Sequence, residues 1–139
     1  MSAKHLLLGT LILGVVGNIF DMIVHGMLLG PTYAGIEAMA SKESMNPAFF
    51  VLFDFIGAFL FTWVYGKVQS SFEKSPKGVM MYGVLAALLI SIPGMLFEAV
   101  MYKGFPMWLS IAWIAAAIVK LSILGYILGM LVKPKKATA

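Results

Sequence analysis

The chain has 139 residues, of which 61% are hydrophobic and only 12% charged, and it carries a net charge of +4. A soluble domain this apolar has too little polar surface to cover itself, whereas a bilayer removes that need along most of a protein's height. All ten basic residues are Lys and there is no Cys. This excludes disulfides, thiolate metal sites and iron-sulfur clusters, and the lack of guanidinium weighs against phosphate or nucleic-acid recognition.

Four long apolar segments, at 5–30, 47–67, 78–101 and 106–132, have the length that crossing roughly 30 Å of hydrocarbon requires. The predicted fold is all-α, a single membrane domain over 1–139 built as a polytopic bundle of four transmembrane helices. Lys4 precedes the first segment as it would a signal peptide, but the run continues through Asp21 and His25 without a small-residue cleavage site, which reads as a retained helix. Gly30-Pro31 ends that helix, Asn46-Pro47 caps and opens the second, and Gly104 with Pro106 separates the last two. The stretch 33–44, rich in Ala and Met, reads either as a short helix on the membrane surface or as an ordinary connection.

Lys4, Lys67, Lys74, Lys77, Lys133, Lys135 and Lys136 fall on one side of such a bundle, and Lys42 and Lys103 on the other. By the positive-inside rule both termini are expected on the cytoplasmic side. Tyr102, Phe105 and Trp108 read as interfacial aromatics.

Ionisable groups within membrane helices are costly, so each needs a partner, a wet cavity or a function. Five occur here: Asp21, His25, Asp54, Glu98 and Lys120. In the first helix Leu11, Gly14, Asn18, Asp21, His25 and Leu28 share a stripe. Asp54 shares a face with Gly57 or Ala58, Phe61 and Tyr65, and Gly83, Ala87, Ser91, Gly94 and Glu98 form a third such face. Small residues let helices approach, so these faces are expected to point inward.

At about 1.5 Å per residue, Asp21 and Asp54 lie roughly 12 to 14 Å from the outer boundary and Lys120 roughly 21 Å. Helical side chains lean toward their own N-terminus, which brings the Lys120 ammonium within reach of Asp54 or Asp21. A polar intramembrane site of Asn18, Asp21, His25, Asp54, Glu98 and Lys120 is therefore expected, either to handle an ion, protons or a polar ligand, or to fix helix register through buried hydrogen bonds; Glu98, close to the boundary, reads better as a solvated side chain.

His25, Asp21 and Asp54 also suggest ligands for a metal. The second His, His5, lies some 30 Å away along the same helix, which excludes a two-His haem clamp within the chain, and no cofactor is strongly implied. Pro93 is expected to kink the third helix and free a carbonyl near Leu89 or Ile90. Gly125 and Gly129 form a GxxxG packing face turned away from Lys120 and available to another helix or another protein.

The run His25-Gly26-Met27-Leu28-Leu29-Gly30-Pro31-Thr32-Tyr33, with Tyr82-Gly83 opening the third helix and a Pro midway along it, resembles small bacterial four-helix membrane proteins of unknown function. The resemblance implies the topology and no activity.

Nothing pairs a nucleophile with a base, so the chain reads as non-enzymatic. The leading reading is an accessory or structural subunit of a membrane complex or homo-oligomer, its partners being lipid and other membrane chains. The second is a small transporter of protons, a metal ion or a polar solute, and the third a haem- or pigment-binding subunit with His25 as ligand.

Overall fold

The computed structural model describes residues 1–33, 35–36, 47–101 and 105–132. Its elements are helix α1 (Ala3–Asp21), a π-helical segment Met22–Leu28, the short α2 (Gly30–Tyr33), α3 (Pro47–Val68), a 3-10 turn Gln69–Ser71, α4 (Pro76–Met101) and α5 (Met107–Leu131). Four helices are long and apolar enough to cross a membrane: Ala3–Leu28, Ala48–Ser71, Pro76–Met101 and Met107–Leu131. The surface-helix expectation for 33–44 falls almost wholly outside the described residues, as do Lys42, Asn46, Tyr102, Lys103, Gly104 and the tail Lys.

Local chemistry sets the ends. Ser2 caps α1, its hydroxyl accepting from the His5 backbone and lying 2.7 Å from His5 Nδ1, so His5 belongs to the cap. Pro47 and Pro76 occupy first helical positions, where the missing N–H costs nothing. The π-helical segment was not expected. It widens the first helix just after Asp21, and the Leu29 N–H closes onto the Val24 carbonyl at 2.8 Å.

The helices pack as two tight antiparallel pairs. In α1 against α3, Gly9 faces Thr62, Gly14 faces the Phe55 ring and Gly17 lies beside Asp54, so one index falls as the other rises. In α4 against α5, Gly83 meets the Leu121 backbone, Gly125 meets Val79 and Gly129 meets Pro76. Backbones touch backbones there because no Cβ intervenes. Gly125 and Gly129 are thus buried inside the molecule, so of the two expected partners for their face it is another helix, α4, and not another protein, that fills it.

The inward face of α1 also differs from the expected stripe. Leu11 is 48% exposed, and the buried residues are Gly9, Leu13, Gly14 and Gly17. Gly14 of the expected stripe is kept, and close packing against Thr62 and beside Asp54 adds Gly9 and Gly17 to the inward face in place of Leu11. In α4 the expected face holds for Gly83, Ala87 and Ser91 but not beyond Pro93: Gly94 is exposed, with nothing within 4 Å of an added Cβ.

The pairs join where α1 meets α5, at Gly9 against Leu128 and Gly17 against Lys120. Contact between α3 and α4 is sparse and centres on Tyr82. Its ring packs on Phe61, Tyr65 and Phe72 with centroids 4.7, 5.3 and 5.5 Å apart, and its hydroxyl donates to the Phe61 carbonyl at 2.8 Å. Tyr82→Phe should therefore cost about 1 kcal/mol, the net worth of one hydrogen bond, in a denaturation series run in detergent.

Candidate functional site

Three helices converge on Lys120. Its ammonium donates to Asp21 Oδ2 at the end of α1 (2.6 Å) and to Asp54 Oδ1 on α3 (2.7 Å). The side chains are largely withdrawn: Lys120 is 18% exposed, Asp54 12% and Asp21 33%. Gly17 makes the room, since a Cβ there would stand 3.4 Å from Lys120 Cε and 3.6 Å from Asp54 Oδ1. Two carboxylates thus share one cation.

The other expected site residues part company with this cluster. Asn18 turns its amide back to the Gly14 carbonyl at 2.9 Å, satisfying itself on its own helix. Glu98 is half-buried near the far end of α4 and makes no hydrogen bond or ion pair among the described residues. His25 is held by other partners.

Those partners form an aromatic group that sequence reasoning did not assemble. His25 Nδ1 lies 2.6 Å from the Tyr33 hydroxyl, and Trp113 Nε1 donates to that same hydroxyl at 2.8 Å. The rings stand 6.0 to 6.2 Å apart, and Phe105 closes on Trp113 at 5.3 Å. Burial pushes the Tyr33 phenol above its usual value, against the opposing effect of the Trp113 hydrogen bond, so it stays protonated at neutral pH. Indole only donates, so the Tyr33 proton is available to His25 Nδ1. A chain running Trp113 to Tyr33 to His25 makes the neutral imidazole the Nε2–H tautomer. Trp113 sits two turns before Lys120 on one face of α5, a spacing that was present in the sequence.

The metal set proposed from His25, Asp21 and Asp54 does not form. Among the described residues no three His, Asp or Glu side chains gather to hold an ion, because Lys120 stands between the carboxylates and Tyr33 engages the imidazole.

Behind the cluster lies a cavity of about 740 Å³ between α3 and α4. Leu13, Gly17, Lys120 and Leu124 line it from α1 and α5; Gly57, Leu60, Phe61, Leu85 and Leu89 line it from α3 and α4. Its polar contributions from the site are Asp54 and Lys120. Leu60, Leu85 and Leu89 are 49%, 49% and 77% exposed, so the cavity opens sideways between the two helices.

No family model, characterised protein or solved structure matches the chain.

Proposed function

We propose that the protein is a non-enzymatic multi-pass membrane protein that passes protons or small cations, with Asp21, Asp54 and Lys120 as its working site. In this reading the termini and the turn at 69–75 face the cytoplasm of a bacterial inner membrane. The observation that carries it is the cluster's unequal charge: two carboxylates meet one ammonium at the wall of an open cavity. A half-buried site with one negative charge in excess favours uptake of a proton or a cation. His25, next along the first helix, is engaged with Tyr33 and stands outside this working site.

A second reading is a structural subunit in which the cluster is a clamp. It is favoured by the two hydrogen bonds of Lys120, which tie α1 and α3 to α5. The glycine pattern no longer adds to it, because that face is spent on the α4 contact.

Asp54→Asn separates the two. The amide oxygen still accepts from Lys120, and the remaining Asp21–Lys120 pair is charge-balanced, so the fold should survive. In proteoliposomes with an imposed potassium diffusion potential and a lumenal pH dye, the working-site reading expects proton flux to fall about tenfold or more at near-unchanged melting temperature. Unchanged flux with lost stability would leave the clamp as the surviving account.

A further inference from the structure

We propose that the cavity between α3 and α4 binds a lipophilic cation, an apolar body bearing one positive charge, which enters from the bilayer and sets its charge beside Asp54. The proposal rests on the cation reading of the cluster and names its ligand class.

Shape supplies the first argument. The cavity holds about 740 Å³, enough for a body of several rings, and its rim at Leu60, Leu85 and Leu89 is apolar and faces sideways. In a membrane that opening meets hydrocarbon, so the ligand must be one that partitions into lipid. A membrane-spanning partner helix fits poorly, because Tyr82 bridges α3 and α4 through the Phe61 carbonyl and blocks the groove partway along.

Charge supplies the second. Lys120 already donates to both carboxylates, so an anionic head would have to displace one of them. A cation meets the reverse situation: Lys120 uses only Oδ1 of Asp54, and the cluster carries one carboxylate more than it has ammonium groups. Acceptors in excess beside an apolar hollow select a positive charge on an apolar body.

Two glycines make the test clean. A side chain added at Gly57 meets nothing within 4 Å and projects from a residue that lines the cavity, whereas Gly94 is equally open but does not line it. Purified protein in nanodiscs would be dialysed to equilibrium against tetraphenylphosphonium and, in separate samples, against tetraphenylborate, an anion of the same shape. The expected result is saturable binding of one tetraphenylphosphonium per chain, little tetraphenylborate binding, a loss of about tenfold or more in Gly57→Phe and in Asp54→Asn, and no change in Gly94→Phe. Melting temperature and elution profile confirm that each variant is folded. Absence of saturable phosphonium binding, equal binding of the anion, or undiminished binding in folded Gly57→Phe would each overturn the proposal. If proton flux of the unaltered protein persists in any of those cases, the cation reading stands and only the cavity assignment falls; if flux is absent as well, both fall.

Discussion

Lys120→Met should cost about 3 to 5 kcal/mol of stability, because it leaves two carboxylates without their shared cation in a site largely withdrawn from solvent. The partial exposure of Asp21, at 33%, puts the expected loss toward the lower end. Most of it should return when Asp21→Asn and Asp54→Asn are added to Lys120→Met, since the cost comes from stranded charge and not from a missing bond. Chemical denaturation in detergent micelles checks this across the single, double and triple variants. Additive losses along that series would mean that the three groups do not act as one unit.

Gly125→Val should force the α4–α5 pair apart locally and destabilise the protein. An added Cβ at Gly125 would sit 2.5 Å from the Val79 carbonyl oxygen and 3.1 Å from Met80 Cα, both backbone atoms that cannot swing aside as a flexible side chain does. Overpacking of this kind costs about 1 to 3 kcal/mol, and the rigidity of two facing backbones puts this site at the upper end. Gly94→Ala supplies the opposite sign: the position is open and lies inside a helix, so removing backbone freedom should stabilise by about 0.4 to 1 kcal/mol. Melting curves of the two variants should move in opposite directions.

The contrast between those glycines shows how far the sequence could be read. Segment length and the Pro and Gly punctuation are local properties, and they located the four long helices. The meeting of Lys120 with Asp21 and Asp54 was also legible, since depth along each helix and the lean of a long side chain toward its N-terminus are enough to bring them together. Which face of each helix turns inward was harder to read. Membrane helices are apolar all round, so periodicity carries little signal, and small residues mark close packing without naming the partner. Gly125 and Gly129 were legible as a packing face, but the sequence left open whether another helix or another protein covers it, and α4 does. In α1 the buried face took Gly14 from the expected stripe but added Gly9 and Gly17, while Asn18 satisfied its amide locally.

The aromatic group around His25 was hidden for a related reason. Tyr33 and Trp113 are eighty positions apart and come together only through the π-helical segment and α2, neither of which the apolar pattern announces. The cavity was equally invisible, because it is a gap between α3 and α4 and belongs to no single helix.

The most direct test of the account is whether the carboxylates of this cluster exchange a proton while the protein stays folded. Infrared difference spectra of the protein in lipid, recorded across pH, report the carbonyl stretch of a protonated carboxyl. The account predicts a titrating band that Asp54→Asn removes or shifts, with the helical amide signal unchanged. A cluster whose carboxyl signal stays fixed over the whole range in which the protein is folded would contradict it and leave Asp21, Asp54 and Lys120 as a static clamp.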